Sequence, residues 1–320
     1  MNETPDQQMS DNEFSEEGEI VFICGALRSG TTLLRLMLNH HPALSNPGEM
    51  DFLFECPDRD VVAYREQLKL DRIFLSTGMP VNDALDYPAL VHSFVDTLRR
   101  PDKRLSINIH RNFERIPAVF PNARYVHILR DPRDVARSSI GMGWAGNVYH
   151  GADHWIRSEQ SFDRLRRLVP ADRIYEIKNE TLVTEPSREL GSLCAFLGVP
   201  YDAAMLSYPD QSTYSAPDPS LLYQWKREQS RREVGLVEGR VGAMLEAAGY
   251  EPSGYGAIVP NTLERVALNA GHRWGRLMFS VRRNGLALTL ADIVSRRLPL
   301  EGWRRKVVMR LNDKEARHLK

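Results

Sequence analysis

The sequence has no long apolar run and no excess of charge of either sign. No apolar stretch in its 320 residues reaches the roughly 18 residues that a membrane-spanning helix needs. Its 42 basic and 42 acidic side chains give a formal net charge of +0. This balance excludes the overall basic excess typical of a dedicated nucleic-acid-binding protein, so we expect no nucleic-acid partner. The first 19 residues have neither the basic start nor the apolar centre of a secretory signal.

Cysteine is also scarce. The three cysteines, Cys24, Cys56 and Cys194, are odd in number and far apart in the chain. They fit reduced thiols in an intracellular protein better than a disulfide framework. No cysteine or histidine cluster has the spacing of metal ligands, so we expect no metal. Together with the missing signal segment, these features predict a cytoplasmic protein.

The charge is unevenly distributed along an otherwise ordinary globular composition of 42% hydrophobic and 26% charged residues. The first 19 residues contain seven acidic side chains and no basic one, so we expect residues 1–18 to be a disordered acidic tail. Residues 257–320 contain fourteen basic and five acidic side chains. We therefore divide the chain into that tail, an α/β domain over residues 19–256 and a basic helical C-terminal extension over residues 257–320.

Short apolar runs typical of buried strands alternate with segments of helical periodicity. The predicted strands are Ile20–Cys24, Arg104–His110, Arg124–Leu129 and Arg173–Ile177. The predicted helices are Thr31–Asn39, Pro186–Leu197, Arg231–Gly249 and one that begins at Pro132 with Asp131 as its N-cap. This alternation predicts an α/β fold of three layers, in which a central parallel sheet has helices on both faces.

A glycine-rich loop between the first strand and the first helix is the most specific local feature. It reads Gly25-Ala-Leu-Arg-Ser-Gly-Thr31-Thr32, with the Gly-x4-Gly spacing of a P-loop. Such a loop cradles phosphate with backbone N–H groups and a helix N-terminus. Thr31 stands where a nucleoside triphosphatase has its lysine, so the loop predicts an anion site and argues against ATP or GTP. The alternative interpretation is a glycine turn that binds nothing.

With its flanks, FICGALRSGTTLLRLMLNHHP, this loop resembles the 5′-phosphosulfate-binding loop of sulfotransferases that use 3′-phosphoadenosine 5′-phosphosulfate (PAPS). The resemblance is closest to the group of tyrosylprotein sulfotransferases and related bacterial enzymes. Further stretches match family elements in the same order: Asn46–Glu49, Phe120–Ser138, Asn179–Pro186 and Trp225–Arg227. The resemblance covers roughly residues 20–256 and implies a P-loop-like sulfotransferase fold.

The resemblance also implies roles for individual residues. It implies transfer of a sulfuryl group to an acceptor hydroxyl without a metal, with adenosine 3′,5′-bisphosphate as the product. Glu49 would be the general base, and Arg28 would stabilise the charge on the leaving oxygen. The residues implied to bind PAPS are Arg28, Ser29, Gly30, Thr31, Thr32, Arg130, Ser138 and Lys226.

Two positions depart from the family pattern. Asn108 stands where the family often has a lysine that contacts the transferred group, so it is the third predicted catalytic residue. His110 or Arg111 could substitute for that lysine. Asn179 stands where an aromatic side chain would stack on adenine, and Tyr175 is the alternative stacking residue.

The sequence leaves the acceptor open among a carbohydrate, a small molecule, a lipid and tyrosine. Two other functions also remain, a P-loop kinase-like small-molecule phosphotransferase and a non-catalytic protein that binds adenosine bisphosphate. The segment Gly141–Gly151 is interpreted as an acceptor-side lid or as an ordinary connection. The basic extension could lie on an anionic membrane surface, contact another subunit, clasp an acidic acceptor or pack on the domain with solvated arginines.

Overall fold

In a computed structural model, which describes residues 20–57, 60–298 and 300–318, the chain folds around a parallel sheet of five strands. The strands are β1 (Val21–Cys24), β2 (Leu44–Ser45), β3 (Arg104–Ile109), β4 (Arg124–Leu129) and β5 (Ile174–Lys178). Their order in the sheet is β2-β3-β1-β4-β5. The acidic tail predicted for residues 1–18 lies outside the described residues.

Helices cover both faces of this sheet. They are α1 (Thr31–Asn39), α2 (Val61–Leu68), α3 (Arg72–Thr77), α4 (Tyr87–Asp96), α5 (Pro132–Gly141), α6 (Val148–Arg166), α7 (Asn179–Thr184), α8 (Pro186–Leu197), α9 (Trp225–Glu228), α10 (Arg231–Val241), α11 (Met244–Ala247), α12 (Thr262–Asn284), α13 (Leu286–Ser295) and α14 (Glu301–His318). Because side chains alternate along a strand, Phe22 of β1 packs into one hydrophobic core while Val21 and Ile23 pack into the other. The predicted three-layer α/β fold is confirmed.

The strand register brings the predicted site residues to one edge. Cys24, at the end of β1, lies opposite Ile109 of β3 and His127 of β4. The segments that follow these three parallel strands therefore leave the sheet at the same edge, where α/β proteins bind ligands. The glycine-rich loop of residues 25–32, which we name the phosphate loop, follows β1, and Arg130 follows β4.

Most local sequence patterns form the predicted elements. Asp131 caps α5 by accepting a hydrogen bond from the Arg133 amide, with Pro132 at the first position. The helix predicted for residues 231–249 is instead two helices, α10 and α11, because the chain turns at Gly242 with φ of 59°. The two-residue strand β2 and the helices α2, α3 and α4 were not predicted from the sequence.

The basic C-terminal extension forms α12, α13 and α14. Helix α12 lies against the segment between α5 and α6, where Asn147 Nδ2 donates to the Leu268 carbonyl over 2.7 Å and Phe279 packs on Gly143. The segment 141–151, predicted to be either a lid or an ordinary connection, lies outside helices only over residues 142–147, since Gly141 ends α5 and residues 148–151 begin α6. No helix in the described part of the chain has the length and apolar character to cross a membrane.

Candidate functional site

The phosphate loop leaves the start of α1 open toward an anion. Gly30 is the N-cap of α1, with φ of 94°, and it supplies no capping side chain. The first turn of α1 also has no acidic residue, so its amides and the positive end of its dipole are available to a ligand. A side chain at Gly30 would bring its Cβ within 2.1 Å of Asn179 Oδ1. Only glycine fits this approach between the loop and the start of α7.

Two arginines from separate segments meet beside this loop. Arg28 Nε donates to the Ser138 hydroxyl over 2.8 Å, and one terminal nitrogen of Arg130 donates to the Arg28 carbonyl over 3.0 Å. Burial and the neighbouring Arg130 guanidinium lower the pKa of Arg28. Asp134 lies 3.7 Å from Arg130, and burial raises the pKa of this carboxyl to about 6. The junction therefore concentrates positive charge that a bound anion would stabilise.

The two arginines of this junction line a cavity of about 480 Å³. Its walls include Arg28 and Gly30 of the loop, Arg130, Glu49 and Asn179. Another wall of the cavity consists of residues 213–218 and 221–222, including Tyr214. This segment was not predicted to belong to the site. That segment is far from the loop in sequence and follows no recognisable phosphate-binding pattern, so only the fold could reveal it.

Glu49 lies where this cavity meets a second one. Its backbone forms an isolated parallel bridge with Asn108, next to the Gly48 carbonyl that accepts from the Asn108 amide over 3.0 Å. The Glu49 backbone is thereby held beside β3, and Glu49 lines both the 480 Å³ cavity and a neighbouring cavity of about 730 Å³. Arg28 and Thr32 also line both cavities. The predicted base therefore lies between two spaces that can each hold a molecule.

Comparison with known proteins agrees with this geometry. A profile of the sulfotransferase family matches residues 20–203, more than half of the chain. The chain belongs to the sulfotransferase family. It is 23% identical to a Drosophila melanogaster protein-tyrosine sulfotransferase over 267 residues, which are 75% of this chain and 53% of that protein.

Two further comparisons extend the family assignment. The chain is 31% identical to the Mycobacterium bovis omega-hydroxy-beta-dihydromenaquinone-9 sulfotransferase Stf3 over 151 residues, which are 42% of this chain and 37% of that protein. Its fold is similar to a sulfotransferase domain from the curacin biosynthetic pathway, with a TM-score of 0.55 and 23% identity over 73% of this chain and 98% of that domain. The chain spans about half the length or less of several curated relatives that it matches, and only 26% of an uncharacterized protein of Aquifex aeolicus.

Asn108 lines neither the 480 Å³ cavity nor the 730 Å³ cavity. Its side chain is fully buried, with Oδ1 accepting from Asn46 Nδ2 over 3.0 Å and Nδ2 donating to the Thr31 carbonyl over 3.1 Å. Both polar atoms are thus engaged within the protein. This placement favours positioning of the phosphate loop over direct contact with a transferred group.

A buried relay behind the loop was missed by the sequence analysis. His110 Nδ1 lies 2.9 Å from Asp51 Oδ2, and His110 Nε2 lies 3.2 Å from the Thr31 hydroxyl. Burial disfavours the charged imidazole, but the Asp51 carboxylate outweighs that effect and raises the pKa of His110. The relay fixes the Thr31 side chain from behind. The residue pattern alone offered no link between Asp51 and a histidine 59 positions away.

Five other predicted residues do not line the 480 Å³ cavity, and one of them is Ser138, whose hydroxyl contacts Arg28 of the cavity wall. Ser29 is buried, and its hydroxyl has no hydrogen-bond partner among the described residues. The Lys226 ammonium lies 4.9 Å from the centre of the Tyr223 ring, while Arg111 pairs with Glu55. Tyr175, the alternative adenine-stacking residue, packs against Phe196 with ring centres 5.4 Å apart.

Proposed function

We propose that the protein transfers the sulfuryl group of PAPS to an acceptor hydroxyl. The observation that carries this proposal is the meeting of Arg28 and Arg130 in one cavity with the phosphate loop. These groups come from the ends of different strands, and together they can bind both phosphate-bearing ends of one nucleotide. Membership of the sulfotransferase family supports the same reaction.

Two polar atoms near the proposed donor site have no hydrogen-bond partner among the described residues. They are Arg130 Nε and the Ser29 hydroxyl, and both are buried. The uncapped start of α1 and the Gly30 cradle fit a 5′-phosphosulfate, which supplies the sulfuryl group. We assign that end to Arg28 and residues 29–32, and the 3′-phosphate to Arg130 with Ser138. Lys226, which does not line this cavity, would reach the 3′-phosphate from outside it, and Tyr214 is one aromatic side chain of the cavity wall that could stack on adenine.

Glu49 is our candidate for the general base. Its position between the two cavities allows the carboxylate to accept the proton of a hydroxyl that enters from the 730 Å³ side. Arg28 and the hydroxyl of Thr31 would stabilise charge on the leaving oxygen, while Asn108 and His110 hold the loop in place. The chain supplies these donors without a metal.

Two measurements test this proposal. Adenosine 3′,5′-bisphosphate should raise the Tm of the protein and ATP with Mg²⁺ should not, because Thr31 replaces the lysine of nucleotide kinases. With labelled PAPS, Glu49→Gln should lower kcat by roughly 10² to 10⁴ and leave the bisphosphate-induced Tm shift unchanged. Exposed Glu185→Gln is the matched control.

Each alternative function has its own signature in these assays. Stabilisation by ATP with Mg²⁺ alone would refute the sulfotransferase proposal in favour of a phosphotransferase. Bisphosphate binding with no labelled product from a broad acceptor pool would identify a non-catalytic binding protein. The acceptor classes to screen are carbohydrates, small alcohols, lipids and tyrosine peptides, since the curated relatives are named for both tyrosine and a menaquinone.

We place the reaction in the cytoplasm, in accord with three free, buried cysteines.

The C-terminal extension has a surface that supports contact with an anionic membrane. Helix α13 exposes Leu286, Leu290 and Val294 at 60%, 49% and 42% of their surface, while its polar Thr289 and Ser295 are each only 2% exposed. Apolar side chains thus face outward from a segment with fourteen basic and five acidic residues. This combination is typical of helices that lie on anionic lipid.

Vesicle binding tests this contact. The protein should co-sediment with phosphatidylglycerol vesicles, and the double variant Leu290→Asp with Val294→Asp should not. Leu168→Asp, at an apolar site that is 59% exposed on the α/β domain, is the matched control. The membrane contact would be refuted if the wild-type protein did not bind vesicles. If it were also a dimer in analytical ultracentrifugation and the double variant were a monomer, this face would be assigned to a second subunit.

A further inference from the structure

We propose that a cavity between α6 and α12 binds the anionic group of the acceptor, a carboxylate, sulfate or phosphate. This cavity has a volume of about 640 Å³ and is separate from the donor cavity that contains Arg28 and Arg130. The assignment of its ligand to the acceptor rests on the proposed function. The anion site itself follows from the side chains of the cavity.

The cavity walls carry a strong excess of positive charge. The cavity is lined by four arginines, Arg111, Arg157, Arg164 and Arg276, and by a single carboxylate, Asp153. Asp153 already pairs with Arg240 over 2.8 Å and lies 3.2 Å from His150 Nδ1. Its negative charge is therefore engaged away from the four arginines.

Arg157 and Arg276 are the side chains best able to bind a ligand. Arg111 pairs with Glu55 and Arg164 pairs with Glu114. Neither Arg157 nor Arg276 has an ion pair or side-chain hydrogen bond with another described residue. Two guanidinium groups without a protein partner can form charge-assisted hydrogen bonds with an anion.

The histidines of the cavity respond to this positive environment. Burial and the nearby Arg157 lower the pKa of His154. Burial and the nearby His150 lower the pKa of His272, and Arg276 acts in the same direction. An anion bound among these side chains would favour the protonated imidazoles and raise the pKa of both histidines. The pKa values of His154 and His272 can therefore be used to detect anion binding in this cavity.

The position of the cavity links it to the reaction centre. Leu27 and Trp144 line this cavity as well as the donor cavity and the 730 Å³ cavity beside Glu49. His110, on its inner wall, lies 3.2 Å from the Thr31 hydroxyl of the phosphate loop. An acceptor whose anionic group lies here can therefore extend its hydroxyl toward the place where the three cavities meet.

Helix α12 supplies a part of this site that lies outside the matched family segment. His272 and Arg276 belong to α12, whereas the family match ends at residue 203. Contacts with the segment between α5 and α6 hold the helix there, including a 3.2 Å hydrogen bond from the Gly146 amide to His272 Nδ1. The basic extension thereby completes the cavity, and its charge selects acidic acceptors.

Phosphate titration tests the anion site directly. The protein is first saturated with adenosine 3′,5′-bisphosphate, which occupies the donor site, and inorganic phosphate is then added while the histidine Cε1–H resonances are followed by NMR. Phosphate should shift the resonances of His154 and His272 and raise the pKa of both groups. Arg157→Gln with Arg276→Gln should weaken phosphate binding at least tenfold. Exposed Arg188→Gln, on α8, should change it by less than twofold.

Competition then tests the acceptor class. 4-Hydroxyphenylacetate, a phenol with a carboxylate, should displace phosphate, and 4-methylphenol, which lacks the charge, should not. Unresponsive histidine resonances, equal binding by the double variant and the control, or equal displacement by both phenols would overturn the inference. Bisphosphate affinity is measured in the same samples, so failure of the proposed donor function would be recognised separately from failure of the anion site.

Discussion

Replacing Arg130 with glutamine should weaken binding of adenosine 3′,5′-bisphosphate far more than binding of adenosine 5′-monophosphate. The Arg130 side chain has two functions in our interpretation. It donates to the Arg28 carbonyl over 3.0 Å, which supports the phosphate loop, and it would bind the 3′-phosphate through its remaining donors. Only the bisphosphate carries that second phosphate, so the two ligands separate the two functions.

The magnitudes follow from these contacts. Loss of the hydrogen bond to the Arg28 carbonyl costs about 1 kcal/mol and should weaken both ligands by up to about fivefold. Loss of a forked, charge-assisted contact with phosphate costs roughly 2 to 4 kcal/mol. The preference of the protein for bisphosphate over monophosphate should therefore fall by roughly 30- to 1000-fold.

Isothermal titration calorimetry of both ligands measures this preference, with exposed Arg188→Gln as the control for a general loss of positive charge. If Arg130→Gln weakened both nucleotides equally, Arg130 would support only the loop and would not bind the 3′-phosphate. That result would remove the main support for one nucleotide that contacts both the phosphate loop and Arg130.

Two further variants probe the same cavity. Gly30→Ala should reduce the bisphosphate-induced Tm shift by more than half, because its Cβ would displace Asn179, whereas Gly78→Ala, at an equally left-handed position in open space, should leave the shift intact. An unchanged shift in Gly30→Ala would refute the close-fitting cradle. Burial raises the pKa of Asp134 to about 6, so above that pH its carboxylate competes with the 3′-phosphate for Arg130. Asp134→Asn should therefore match the wild-type affinity near pH 5 and exceed it roughly three- to tenfold near pH 8, and parallel pH profiles would contradict this reasoning.

The local elements were largely predictable because their signals lie within a few residues of one another. Helix α1 has the predicted bounds Thr31–Asn39, and α8 ends at Leu197 before the left-handed Gly198. The phosphate loop was recognisable because a tight turn before a helix needs glycines at fixed spacing. In contrast, β2 consists of only two residues and pairs with a strand 60 positions away, so no periodicity could reveal it.

The α/β fold, the glycine-rich loop and the family could be predicted from the amino-acid sequence, because each depends on short-range order along the chain. Tertiary packing was needed to bring Arg130 to the Arg28 carbonyl, to turn both polar atoms of Asn108 into the protein and to place α12 against the segment between α5 and α6. These contacts join residues about 60 to 125 positions apart, and they depend on strand register and helix packing, which no local pattern encodes. The local charge was equally unpredictable from the sequence. The net charge of the chain is +0, yet one cavity is lined by four arginines and one carboxylate because α6 and α12 pack together.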